Sequence, residues 1–199
     1  MATNVTFHPG SVSASERSAS LKQRGVTIWL TGLSASGKST VACALEKMLL
    51  HRGKFTYRLD GDNIRLGLNK DLGFDAISQT ENVRRIGEVA KLLTDACCVT
   101  IVAFISPFRV GRETARKLHE DVNLGFLEVF VDAPLSVVEQ RDPKGLYKMV
   151  RAGEIQNFPG ISAPYEVPEN PDVHLRTAEC DVTEAVKNII GYLEAHHYL

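Results

Sequence analysis

A chain of 199 residues, 44% of them hydrophobic and 24% charged, can bury roughly 70% of its extended surface around one core, which excludes a disordered chain. Lys and Arg number 23 against 24 Asp and Glu, so a net charge of −1 draws the protein to neither nucleic acid nor an anionic membrane, and any bound anion needs a local site. The longest apolar stretches, such as residues 99–105, reach about a third of the ~20 residues of a bilayer span, and four cysteines without CxxC spacing point to a reducing cytoplasm.

Residues 1–21 are rich in Ser and Ala, lack an apolar or long basic run, and are expected to be a mobile arm before a single domain over 22–199. The β-branched, apolar run at 26–30 predicts a strand, and Thr31-Gly32 ends it. A helical face of Val41, Leu45, Met48 and Leu49 follows. A second strand is expected at 55–59, then a polar loop and a long helix carrying Val83, Ile86, Val89, Ala90 and Leu93. A strand at 99–104, a helix around 113–119 and a strand at 126–131 come next. A last strand near Val173 leads to a helix with Val182, Val186, Ile189, Ile190 and Leu193, which Asp181 and Glu184 could cap. Strands separated by helices favour parallel pairing, so the fold class is α/β, a three-layer α/β/α domain with a mainly parallel sheet. Over residues 141–172 no period is sustained, and Pro159, Pro164, Pro168 and Pro171 are half of the eight prolines; this predicts a lid or irregular excursion.

Gly32-Leu33-Ser34-Ala35-Ser36-Gly37-Lys38-Ser39-Thr40 matches G-x-x-x-x-G-K-[ST]. It falls after a buried strand and at the first turn of a helix, where unpaired N–H groups and the positive end of the helix dipole converge on an anion. Lys38 supplies a mobile charge to the β and γ phosphates of ATP, and the Ser39 hydroxyl is the expected Mg²⁺ ligand.

The phosphoryl acceptor has to be read elsewhere. Asp60 and Asp62 close the second strand, a pair that can hold magnesium-bound water or take a proton from an attacking hydroxyl, although Asp-Gly-Asp-Asn is also an ordinary turn and helix cap. Asp132, after the strand at 126–131, is a second Walker-B-like candidate or a strand-end cap. Arg141, Lys144, Lys148 and Arg151 are spaced to share one helix face, which is either solvated or part of a lid that neutralises transferring phosphate. Phe74 and Phe158 lie in polar Gly- or Pro-containing segments, where each could stack on a base or make a satellite core contact.

The stretches TGLSASGKST at 31–40, LDGDNIRLGLNKDLGF at 59–74, ENVRRIGEVAK at 81–91, FISPF at 104–108 and RDPKGLYK at 141–148 together resemble the adenylylsulfate (APS) kinase family. The resemblance spans about residues 22–195. It implies a P-loop kinase fold, a homodimer, and transfer of the ATP γ-phosphoryl group to the 3′-hydroxyl of APS, giving PAPS in sulfate assimilation. It implies an APS pocket at Asp62, Asn63, Ile64, Arg65, Phe74, Gln79, Asn82, Ile105, Ser106, Lys144, Asn157 and Phe158, with Arg141 against the ATP adenine. Lys38, Asp62 and Ser106 are the catalytic candidates. Family descriptions give the serine at Ser106 a phosphoserine role, whereas direct in-line transfer needs no covalent stop and suits a residue lining the acceptor site. Three positions depart from the family pattern: Gln79 replaces an arginine that meets APS, Gly111 an aspartate, and Pro159 a threonine. The alternatives are a non-catalytic regulatory homologue that binds PAPS or nucleotide, and another small-molecule kinase on the same fold.

Overall fold

The continuous apolar run VTIWLT forms β1 (Val26–Thr31), buried at all six positions, and becomes the centre of the sheet. A computed structural model describes residues 4–6, 8 and 10–199. Its chain order continues with α2 (Lys38–His51), β2 (Thr56–Asp60), α3 (Gly61–Arg65), α4 (Ala76–Asp95), β3 (Val99–Ala103), α5 (Arg109–Glu120) and β4 (Gly125–Asp132). Then come α6 (Leu135–Arg141), α7 (Leu146–Arg151), β5 (Val173–Arg176) and α8 (Val182–Ala195). The five strands pair in the order β2-β3-β1-β4-β5 and every pairing is parallel, with Val26 opposite both Val99 and Gly125.

Alternation along β1 sends its side chains to two cores. Val26, Ile28 and Leu30 join Leu45 and Leu49 of α2 and Ile189 and Leu193 of α8. Trp29 points the other way, to Ile86 and Ala90 of α4 and Ala115 of α5. The three-layer α/β/α expectation therefore holds, with the central strands β1 and β3 buried along their whole length and the edge strands β2 and β5 partly exposed. Among the described residues no helix is long and apolar enough to cross a membrane.

Several local expectations change. The segment 1–21, expected as a mobile arm, contains α1 (Ala14–Leu21), which Ser13 and Glu16 close with a reciprocal capping box. Arg17 ties that helix to Asp95 at 3.0 Å; residues 1–3, 7 and 9 of the segment lie outside the described residues. The second strand starts one residue later than predicted and leaves Phe55 half exposed. The helix expected at 113–119 begins at Arg109.

The 141–172 excursion divides in two. Its first part holds α7, whose Tyr147 and Val150 build a third small core with Val138, Phe158 and the P-loop residues Leu33 and Ala35. Its second part is fixed to the start of α5: the Glu166 N–H donates to Pro107 O at 2.8 Å, and the Arg109 N–H to the Glu166 carboxylate at 2.7 Å. Arg141 ends α6, and Gly145, with a left-handed φ of 68°, starts α7, so Arg141, Lys144, Lys148 and Arg151 do not share one helix face.

Candidate active site

The turn between β1 and α2 wraps as its glycines allow. Gly32 sits at φ 151°, where a Cβ would lie 2.2 Å from Val131 O, and Gly37 at φ 102° leads into α2 without a side-chain cap. The first N–H groups of α2 therefore lack intrahelical partners, and the buried Ser36 Oγ has no hydrogen-bond partner either. These unpaired donors form a concave nest suited to phosphate oxygens. Lys38 Nζ donates to Gly32 O at 2.9 Å and Leu33 O at 2.6 Å, folded along the same loop. Burial, and secondarily the nearby Lys144 charge, push its pKa down to about 7.

A cavity of about 960 Å³ runs from this loop to the start of α3. Asp60 and Asp62, two residues apart, separate in role there. Asp60 is buried; its Oδ1 accepts the Asp62 N–H at 3.1 Å and its Oδ2 accepts from Arg58 at 2.8 Å, so it caps α3. Asp62 is left facing the cavity, where it is ion-paired with Lys144 of the lid.

The far wall is made by the loop before α4 and by α4 itself. The Arg65 guanidinium lies 4.3 Å from the Phe74 ring centroid and donates to Leu72 O and Gly73 O at 2.9 and 3.0 Å. Phe74 is 65% exposed, so core packing does not account for it. Gln79 Nε2 donates to Phe74 O at 2.6 Å, and the Asn82 amide oxygen accepts from Asn69. Ile105, Lys144, Asn157, Phe158 and Pro159 complete this end of the cavity. Phe158 makes the satellite core contact offered by the sequence, packing edge-on against Tyr147 at 5.0 Å, and also borders the cavity.

Some predicted residues fall elsewhere. Ser106 does not line the cavity: its left-handed backbone, φ 40°, turns the side chain under the sheet, where Oγ accepts the Trp29 Nε1–H at 3.0 Å and is 3% exposed. Ile64 packs against the core beneath α4, and neither it nor Asn63 is in the cavity wall. Asp132 turns to His174 at 2.9 Å and is likewise absent from the wall. Gly111 is a packing position on α5, where a Cβ would meet Val83 Cγ1 at 3.2 Å.

One wall was missed by the sequence reading. Thr177, Cys180, Asp181 and Val182, between β5 and α8, line the cavity beside the P-loop. The Thr177 hydroxyl donates to Ser36 O at 2.7 Å, while Arg141 donates to Thr177 O at 2.6 Å, so Arg141 is held against this wall. No motif marks it; only the pairing of β5 beside β4 brings it there. Among the described residues no three His, Cys, Asp or Glu side chains gather as a metal cage.

Residues 24–176 match the family model described as Adenylylsulphate kinase. The chain is 58% identical to the adenylyl-sulfate kinase of Emericella nidulans, over 100% of this chain and 99% of that protein. It is 60% identical to the adenylyl-sulfate kinase of Saccharomyces cerevisiae, over 97% of this chain and 95% of that one. Among solved structures, the Mycobacterium tuberculosis APS kinase CysC in complex with AMPPNP and APS superposes with a TM-score of 0.84 at 49% identity, covering 86% of this chain and 99% of that chain.

Proposed function

Since the chain belongs to the adenylylsulfate kinase family, we propose that the cavity beside the P-loop holds ATP at the P-loop end and APS at the end lined by Asp62, Arg65, Phe74 and Asn82. The protein is an ATP-dependent adenylylsulfate kinase, transferring the γ-phosphoryl group to the 3′-hydroxyl of APS to give PAPS and ADP. The observation that carries the assignment of the two ends is that one cavity joins a phosphate nest to an aromatic and cationic wall, with a carboxylate between them.

In this reading the unpaired N–H groups of the P-loop and Lys38 bind the β and γ phosphates, and Arg141 with Thr177 borders the ATP base. Phe74, backed by Arg65, and Phe158 offer aromatic faces to the APS adenine, and Arg65 and Lys144 offer positive charge to the phosphosulfate. Asp62 accepts the proton of the 3′-hydroxyl as its oxygen bonds to the γ phosphorus; the bond from phosphorus to the bridging oxygen breaks, and its electron pair leaves with ADP. The lid residues around α7 exclude water, so that hydrolysis does not compete. Mg²⁺ supplies charge neutralisation on the phosphates when bound. The exposed Ser39 hydroxyl at the start of α2 would be its protein ligand, the remaining positions being filled by phosphate and water.

A homodimer in the cytoplasm completes the proposal, on the strength of the family. The test is to supply γ-labelled ATP, Mg²⁺ and APS and locate the label. Label at the 3′ position of the product, removable by a 3′-specific phosphatase, is the expected result; label found only in inorganic phosphate contradicts the reading.

A further inference from the structure

Asn69 is fully buried in the loop between α3 and α4, thirteen residues from the cavity residue it touches. Its Nδ2 donates to Asn82 Oδ1 at 2.8 Å, whereas its own Oδ1 is buried with no partner. A buried, half-satisfied amide costs stability, which points to a role outside stability. We propose that Asn69 is a positioning residue that sets the direction of the Asn82 amide, so that Asn82 presents its NH₂ group, and not its carbonyl oxygen, to the APS end of the cavity.

An asparagine amide has one acceptor end and one donor end. With Oδ1 of Asn82 taken by Asn69, the end left for the cavity is Nδ2. Were both amides turned over, Asn69 would bury both N–H groups of its Nδ2 unpaired, where it now buries one acceptor and one N–H, and Asn82 would aim an oxygen at the cavity. Arg65 and Lys144, which line the same cavity, are cationic and suit an anionic ligand, for which an NH₂ donor is a matching third group.

The surroundings give Asn69 the rigidity this needs. Its N–H donates to Ile64 O at 3.0 Å and its carbonyl accepts the Leu72 N–H at 3.1 Å, so both backbone groups are tied within the loop. On the outside Arg85 of α4 grips the same loop, donating to both oxygens of Asp71 at 2.8 Å and to Leu68 O at 3.2 Å. The loop therefore stays docked on α4 without Asn69, and the side chain of Asn69 is free to specialise in orienting Asn82.

The inference rests on the reading of this end as the APS site, and two measurements keep them apart. In the first, Asn69→Asp puts an acceptor where the donor was, which turns Asn82 over; Asn69→Ala removes the contact. Both should raise the KM for APS about tenfold while leaving the KM for ATP within about twofold, and neither should add to the defect of Asn82→Ala. An equal rise in both KM values, or an undiminished effect in the Asn82→Ala background, shows a merely structural role and overturns the proposal.

The second uses no substrate. In protein carrying ¹⁵N-asparagine, the Asn69 NH₂ protons should exchange slowly and those of Asn82 fast, with Asn82 becoming protected in Asn69→Asp. Protected Asn82 NH₂ protons in the wild type overturn the proposal, whether or not APS is phosphorylated. If Asn69→Asp does not fold, the exchange contrast in the wild type still decides the orientation.

Discussion

Lys144 of the lid and Asp62 at the start of α3 are ion-paired across the cavity, both side chains more than half exposed. In such solvent the pair adds little to stability, so its interest is functional: the same two groups are assigned to the transferred proton and to the acceptor's charge. Asp62→Asn should lower kcat by about two to four orders of magnitude, the usual range for a lost general base. Lys144→Ala should chiefly raise the KM for APS, by about tenfold. Initial rates with each substrate varied in turn separate the two. Equal losses of kcat in both variants would mean that the residues act only as a structural pair.

Lys38 gives a prediction about protons. Its pKa of about 7 comes chiefly from burial, so at pH 8 most of the free protein carries it neutral. A polyphosphate placed against it favours the charged form and raises the pKa toward the usual lysine value. ATP binding at pH 8 should therefore take up about one proton per site, and at pH 6 almost none, because the lysine is already protonated there. Calorimetric titration in buffers of different ionisation enthalpy reads this directly. A binding enthalpy independent of buffer at pH 8 would contradict it.

Gln79 is a neutral residue in a wall of charge, and its Nε2 is already committed to Phe74 O at 2.6 Å. An arginine at 79 has donors enough to keep that contact and add one to the anionic end of APS. Gln79→Arg should lower the KM for APS by about tenfold, equivalent to about 1.4 kcal/mol, and leave that for ATP unchanged. An unchanged KM for APS would mean that Lys144 and Arg65 already supply the charge.

His119 makes the fold sensitive to acid. It is fully buried, its Nδ1–H donates to Ala115 O at 2.7 Å, and its Nε2 lies 2.8 Å from the Thr27 hydroxyl, which it accepts from when the ring is neutral. Burial lowers its pKa below the ordinary 6.5. Between those two values the unfolded chain binds more protons than the folded one, so stability falls as pH drops below about 6.5 and is recovered above it. Urea unfolding from pH 7.5 to pH 5 should show this acid limb, and His119→Gln, though less stable at neutral pH, should flatten it.

The parts of the fold that were legible in the sequence are those where one physical signal repeats. β1, β3 and β4 are nearly continuous β-branched or apolar runs because both faces of a parallel sheet are covered, and α4 carries its core face over 20 residues. The six residues of α7 are too few to show a helical period, so the lid read as irregular. Lys38, Asp62, Arg65, Phe74 and Asn82 were legible because each sits in a motif. The Thr177 wall was not, since it depends on which strands become neighbours. Nor was the position of Ser106, which depends on a single left-handed φ of 40° that sends its hydroxyl to Trp29.

The most direct test of the account is acceptor choice. With saturating ATP and Mg²⁺, ADP formation is followed in parallel reactions offered APS, AMP or gluconate. The wall of Arg65, Phe74, Asn82 and Lys144 predicts rapid turnover with APS, slow or no turnover with AMP, which lacks the sulfate, and none with gluconate, which lacks the base. Turnover with gluconate or AMP equal to that with APS, or no turnover with APS by a folded protein that binds ATP, would contradict it.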